Sequence, residues 1–391
     1  MRAVQLDFAD PEFPAKVVDV PEPSLPGDDW ARVEVRAGGI CGSDLHIFSP
    51  SGGGGAPTMA GVMPLPVILG HEIAGVVIEA GARSGVSVGD RVAVEPTITC
   101  EPRGIDPPCR FCARGDIASC QQIYGHVMTP GFALGYTWGL GGGWAEQVVA
   151  HRSMLFALPD AVTDHGASLH EPVSIASHGL LRRQPERGVP IAVVGCGIIG
   201  LASIASVRVL FPDSEITAIA RYPHQAAAAR ACGAHHVVMG TADGSHFDEL
   251  AALTGSDMWG TKPHRILSAG YPYVVEAVGS AGSVTEALRL ADNRGTVLLL
   301  GAATTNTYDL TPVFWKEIEL VGAINHSFDP GPFGGPTRHS VARAVDILAS
   351  GALPDDVVVT HNFPLEDLRE AIAVALDRGS GAIKVVFRPN G

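Results

Sequence analysis

With 391 residues, the chain is longer than one small core requires, so two domains are expected. Its residues are 46% hydrophobic and only 17% charged, which excludes a disordered protein. A formal charge of −14 repels phosphate backbones and anionic membranes, so neither nucleic acid nor a membrane is an expected partner.

The first ten residues lack the long apolar core of an export signal. No unbroken apolar run of about 18 residues occurs that would suggest a membrane span. The nearest, residues 191–210, is interrupted by glycines and reads as strand, turn and helix. A cytoplasmic protein is expected. Seven cysteines without an export signal point to metal binding or catalysis ahead of a disulfide framework.

To about residue 160 the chain reads as short β-rich pieces divided by Gly and Pro. Residues 32–37 alternate with period two, as does part of 73–78, while 51–55 and 139–143 are glycine-rich loops. A helix is predicted over 171–183. Strands at 191–194, 215–220, 235–239, 273–276 and 296–300 then alternate with helices at 198–210, 224–232, 247–254 and 284–291. This α/β alternation predicts a doubly wound parallel sheet. The tail offers helices at 340–348 and 365–378 and a last strand at 382–387, whereas 256–271 show no regular period.

Three groups of residues carry chemistry. Gly195-Cys196-Gly197-Ile198-Ile199-Gly200 follows an apolar strand and opens an apolar helix. Gly195 permits the tight turn, Gly197 lets a pyrophosphate approach, and Gly200 lets helix and strand pack closely. The helix start at Ile198 and Ile199 presents amide donors to phosphate. The next strand ends Ala220-Arg221, without the carboxylate that binds the ribose hydroxyls of NAD. Arg221 suits a 2′-phosphate, so NADP or NAD is expected, with a slight preference for NADP.

The second group is Cys100, Cys109, Cys112 and Cys120. Cys109 and Cys112 form a chelating bite that the outer pair completes, giving a closed thiolate zinc site without an open position. The third is dispersed: Cys41, Ser43, Asp44 and His46, then His71 and Glu72, then His170 and Glu171. A catalytic zinc takes a few N, S or O ligands and keeps one position open. Cys41 and His71 supply thiolate and imidazole, with Glu72 or Glu171 as the carboxylate. Singly, each also reads as a buried thiol, a core histidine or a carboxylate at a helix start.

Together these residues resemble the zinc-containing medium-chain dehydrogenases, especially the sorbitol and threonine dehydrogenase branch. The likeness runs from Gly39-Ile40-Cys41-Gly42-Ser43-Asp44 through Gly70-His71-Glu72, Val88-Gly89-Asp90-Arg91-Val92 and Glu171-Pro172-Val173-Ser174. It continues through Val275-Glu276-Ala277-Val278-Gly279 to Gly381-Ala382-Ile383-Lys384-Val385-Val386. The resemblance implies a β-rich GroES-like catalytic domain, residues 1–172 completed by 327–391, with a structural-zinc lobe at about 96–122. A Rossmann dinucleotide-binding domain occupies 173–326.

It also implies a catalytic zinc among Cys41, His71 and Glu72 or Glu171, and a proton relay through Ser43 and His46. Val278 and Gly301 join the glycine loop at the cofactor. The implied reaction moves a hydride between an alcohol or polyol, or the matching aldehyde or ketone, and NAD(P), in a homodimer or homotetramer. Zinc acts there as a Lewis acid toward the substrate oxygen.

Three departures stand against the family pattern. Eight residues separate Cys100 from Cys109, where relatives have two, and extra length lies around 51–63 and 125–139. The ribose-binding carboxylate is missing. Rival readings are a metal-free reductase on the same fold, which needs neither the Cys41, His71 and Glu72 set nor the four-cysteine lobe, and a non-catalytic dinucleotide-binding regulatory protein, which leaves Ser43 and His46 unexplained. A zinc-ribbon nucleic-acid binder conflicts with the acidic charge.

Overall fold

The strand Trp30–Gly39 organises the first half of the molecule. Its alternation sends Ala31, Val33, Val35 and Ala37 inward, all fully buried. It pairs antiparallel with Glu72–Ala80, with Gln147–His151 and with the late strand Lys384–Phe387. Arg91–Val94 and Leu155–Ala157 extend this seven-stranded sheet on one side and Val359–Phe363 on the other. The end of the chain thus closes the sheet that its beginning opens. In this computed structural model the described residues are 1–7, 13–48, 66–122 and 131–390. The loop predicted at 51–55, the extra length at 51–63 and residues 125–130 lie outside them.

The second half forms six parallel strands in the order His236–Met239, Ile216–Ala220, Ile191–Val194, Tyr271–Glu276, Ala291–Leu299, Glu319–Gly322. Ile191–Val194 and Ile216–Ala220 are buried at every residue, as strands covered on both faces require. The order reverses direction between Ile191–Val194 and Tyr271–Glu276, which opens a crevice at their carboxyl ends.

The helix His170–Arg182 joins the two halves. Leu169, Val173, Ala176 and Leu180 recur at helical spacing and enter a shared core with residues of both sheets. The opposite stripe of Glu171, Ile175, His178 and Arg182 is left to line the crevice.

Most predicted elements stand within a residue or two of their expected bounds. The helix predicted from 284 starts at Ala281, because Ser280 and Ser283 cap its first turn reciprocally. The strand predicted at 296–300 begins at Ala291, paired to Tyr271 before a shift in register. Residues 365–378 divide into a 3₁₀ turn, Leu365–Asp367, and a helix, Leu368–Leu376. The aperiodic stretch 256–271 contains a two-residue antiparallel ribbon of Met258–Trp259 with Ile266–Leu267. Among the described residues no helix is long and apolar enough to cross a membrane.

Close packing of helix on strand makes a sharp demand at Gly200. A Cβ there would fall 1.8 Å from the carbonyl oxygen of Gly195, whereas one at Gly197 meets nothing within 4 Å. Gly200→Ala is therefore expected to cost about 1–3 kcal/mol through overpacking. Calorimetry should show a lowered thermal midpoint for Gly200→Ala and little change for Gly197→Ala; equal midpoints would refute this seating of the helix.

Candidate active site and cysteine lobe

A continuous cleft of about 2270 Å³ runs between the two sheets. Cys41, Ser43, His46, His71, Glu72 and Glu171 line one part, and Gly195, Gly197, Ile198, Ile199, Arg221, Val278 and Gly301 line another. Residues more than 250 positions apart in the chain therefore face one space. Gly200 is not in the wall but under it, against Gly195.

Ser43, His71, Glu72 and Glu171 in the first part each meet a further polar side chain. The short helix Gly42–Phe48 carries Ser43, Asp44 and His46. Asp44 is fully buried, its Oδ2 accepting from the Cys41 backbone N–H at 3.0 Å. Its Oδ1 accepts from the Tyr136 hydroxyl at 3.1 Å and lies 3.5 Å from His71 Nδ1. That leaves His71 Nε2 toward Ser43 Oγ, 3.4 Å away, and Ser43 Oγ is also 3.3 Å from the Tyr136 hydroxyl. The Tyr136 ring packs on His71 and stacks on Phe132. Burial, together with Asp44, pushes the Tyr136 phenol far above its ordinary range, so it stays a neutral donor. His46 lies in the same wall, but the hydroxyl contacts of Ser43 go to His71 and Tyr136.

The two glutamates differ. Both Glu72 oxygens accept from Lys384 Nζ at 2.6 Å, and the same ammonium donates to the Ile40 carbonyl at 2.9 Å. Both side chains are 1% exposed. Burial works against the Lys384 charge, yet Glu72 holds its pKa above the ordinary lysine value. Glu171 instead faces His326, whose Nε2 is 3.4 Å from its Oε1. His326 Nδ1 lies 2.8 Å from Glu95 Oε1. Burial opposes the charged imidazole, but Glu171 and Glu95 carry His326 up to about 9. Neighbouring His170 is spent on the Ile73 carbonyl, 2.8 Å from its Nε2.

In the lobe, the sulfurs of Cys100, Cys109, Cys112 and Cys120 all lie within 4.8 Å of one another. Cys100 Sγ and Cys120 Sγ are 3.7 Å apart, close to the edge of about 3.8 Å that a zinc tetrahedron with bonds of ~2.3 Å requires. The backbone N–H groups of Cys109, Gln121 and Gln122 donate to sulfur. Burial raises the Cys109 thiol, but the backbone N–H groups of Cys112 and Gln121 bring it down to about 6, whereas burial pushes Cys120 up to about 11 and Cys112 higher still. The donor set therefore fits zinc, and the longer loop between Cys100 and Cys109 does not prevent closure. Among the described residues no second group of three possible ligands reaches this mutual spacing. Cys41, His71, Glu72 and Glu171 share the cleft wall as a thiol, an imidazole and carboxylates, a donor set that also suits zinc.

At the other part, Gly195 adopts φ +92°, which a side chain would strain, and Gly197 leaves the space above it open. The strand Ile216–Ala220 ends without a carboxylate, and Arg221 beyond it makes no ion pair among the described residues. Tyr222 and His224 stack beside it with ring centroids 5.6 Å apart. Glu276 is fully buried and accepts from the N–H groups of Val278 and Gly279, which fixes that stretch of wall.

A dinucleotide crevice opening onto thiol, imidazole and carboxylate donors, beside a closed four-thiolate lobe, defines a zinc-dependent nicotinamide oxidoreductase. Comparison with known proteins agrees. Residues 27–160 match the alcohol dehydrogenase GroES-like domain and residues 199–346 the zinc-binding dehydrogenase family. The chain is 26% identical over 378 residues to sorbitol dehydrogenase of Bacillus subtilis, covering 96% of this chain and 94% of that protein. It is 29% identical over 395 residues to an erythritol/L-threitol dehydrogenase of Mycolicibacterium smegmatis, covering 97% and 95%. A zinc-binding dehydrogenase structure from Sinorhizobium meliloti, bound to NADP, superposes with a TM-score of 0.74 at 27% identity over 99% of both chains. The chain belongs to the zinc-containing medium-chain dehydrogenases, in the sorbitol dehydrogenase-like branch. It is an enzyme that exchanges a hydride between an alcohol and NAD(P).

Sequence reasoning missed Asp44, Glu95, Tyr136, His326 and Lys384 as supports of the site. Asp44 and Lys384 had a local signal, lying in the motifs Gly39–Asp44 and Gly381–Val386 already singled out. The Glu72–Lys384 pair makes a clear demand on stability. Lys384→Met strands a buried carboxylate and is expected to cost about 3–5 kcal/mol, whereas Glu72→Gln with Lys384→Met recovers most of it. Denaturant unfolding measures both; a single variant as stable as the parent overturns the pairing.

Proposed function

We propose that the enzyme is a polyol dehydrogenase in which Cys41, His71 and Glu171 hold the catalytic zinc and Glu72 stands behind them, fixed by Lys384. The observation that carries this reading is that those donors line the same cleft as the glycine loop. The polyol substrates named for the sorbitol and erythritol/L-threitol relatives support the substrate class. When bound, zinc supplies Lewis acidity toward the substrate hydroxyl, and the nicotinamide accepts the hydride.

The chain's own residues complete the chemistry. Asp44 Oδ1 faces His71 Nδ1 at 3.5 Å, the side from which a carboxylate orients a metal-binding histidine. Ser43, on the same wall, takes the substrate hydroxyl proton as it gives up its own, and His46, which shares that wall, carries the released proton toward solvent. Ile198 and Ile199 present the helix N-terminus to the pyrophosphate, while Val278 and Gly301 border the cofactor. Arg221, free of a carboxylate partner, pairs with a 2′-phosphate and favours NADP. The lobe of Cys100, Cys109, Cys112 and Cys120 holds a second, structural zinc.

We take the catalytic unit as residues 1–172 with 327–391 and the dinucleotide unit as 173–326, a division supported by the return of Lys384–Phe387 onto Trp30–Gly39. A homodimer or homotetramer is supported by the open edge of Glu319–Gly322, where Leu320 is exposed. The free thiols suit the cytoplasm.

Purified enzyme should contain two zinc ions per chain and oxidise polyols in a panel that also includes simple alcohols. Cys41→Ala and His71→Ala should each lose turnover and one zinc while retaining the thermal midpoint. Full activity without that zinc would falsify the assignment. Catalytic efficiency with each cofactor tests Arg221: Arg221→Ala should lower kcat/KM for NADP about tenfold, as loss of a charge-assisted contact does, and leave NAD almost untouched. An NAD preference unchanged by the substitution overturns the NADP reading.

A further inference from the structure

Three buried side chains from three separate segments meet at the wall that carries Glu171. Glu95 follows the strand Arg91–Val94, His326 follows the last parallel strand, Glu319–Gly322, and Glu171 opens the helix His170–Arg182. They are 2%, 1% and 6% exposed. The imidazole bridges the carboxylates, 2.8 Å from Glu95 and 3.4 Å from Glu171.

The two ends of the bridge grip differently. The Glu95 contact lies within ordinary N–H···O range and the Glu171 contact beyond it. Glu95 is itself tied, since its Oε1 also accepts from the Thr97 backbone N–H at 2.9 Å. The ring is thus fixed by Glu95 and faces Glu171 without consuming that carboxylate, which keeps lone pairs for another ligand.

The segment bearing His326 is pinned on both sides. Asn325 before it takes φ +59°, a left-handed conformation that costs free energy unless its surroundings enforce it. After it, Ser327 exchanges hydrogen bonds with Ser340, and its Oγ donates to the Gly115 carbonyl of the cysteine lobe. Ile324, Asn325 and His326 also line the cleft. The imidazole therefore has little freedom to follow Glu171 and instead sets where that carboxylate can rest.

We propose that His326 is a positioning residue: held by Glu95, it sets the Glu171 carboxylate for the catalytic zinc and governs how firmly that metal is retained. The proposal rests on the reading of Glu171 as a zinc ligand.

The test is zinc release from the holoenzyme to a chromogenic chelator, at a temperature where every variant remains folded by circular dichroism. Cys41→Ala identifies the catalytic phase by its absence, and the structural zinc serves as an internal reference in each sample. Loss of a group that orients a metal ligand typically weakens retention about 10–100-fold. His326→Gln and Glu95→Gln should each speed the catalytic phase by about tenfold or more relative to the reference. The double variant should release no faster than His326→Gln, because Glu95 acts through the ring. If His326→Gln does not fold, Glu95→Gln carries the test, since the amide oxygen can still accept from Thr97. Catalytic-phase rates unchanged in both variants, with zinc lost from Glu171→Gln, overturn the positioning role and leave the ligand reading intact. Zinc retained by Glu171→Gln removes the ligand reading and the proposal with it. Additive effects of the two substitutions also overturn it.

Discussion

Glu72 and Lys384 are 312 positions apart in sequence, yet their charged ends meet at 2.6 Å with 1% of either side chain exposed. Withdrawing two charges from solvent costs several kcal/mol per ion before their attraction returns anything. Further hydrogen bonding offsets part of that cost. The Lys384 ammonium also donates to the Ile40 carbonyl, and Gly39 leaves room for the carboxylate, since a Cβ there would lie 1.8 Å from Glu72 Oε2. One pair thereby binds the last strand to the first large sheet. It also fixes the backbone immediately before Cys41.

From that anchor the rest of the site follows by contact. Cys41 donates its N–H to Asp44, Asp44 faces His71 and receives the Tyr136 hydroxyl, and Tyr136 packs its ring on His71. These links join the helix Gly42–Phe48, His71 just before the strand Glu72–Ala80, and Tyr136, 65 residues beyond His71. Rigid support of this kind suits an enzyme, because a misplaced ligand or proton acceptor loses the alignment that lowers a barrier. The cofactor wall obeys the same logic: Glu276, buried at a strand end, satisfies the amides of Val278 and Gly279 so that the loop keeps its shape.

The helix His170–Arg182 shows how packing and chemistry share one element. Its apolar face enters the core common to both sheets, and its other face turns Glu171 into the cleft. Any shift between the sheets would therefore move Glu171 relative to Cys41 and His71. The Glu95–His326–Glu171 chain opposes such a shift from behind, joining the start of this helix to both halves of the molecule.

Local rules made much of this legible in advance. Residues 191–220 read correctly as strand, glycine turn, helix and strand because apolar periodicity and the need for φ above zero at Gly195 are properties of neighbouring residues. The Cys109–Cys112 bite was likewise visible, and so was the absence of a carboxylate after Ala220. The sequence alone thus determined the two-part architecture, the glycine loop, the thiolate lobe and the short list of donors. Only the tertiary structure decided how those donors are used. It tied Glu72 to Lys384, set Glu171 against His326, and gave Ser43 the Tyr136 hydroxyl as a neighbour. Such pairings join residues tens to hundreds of positions apart, and no local period encodes which buried charge will meet which.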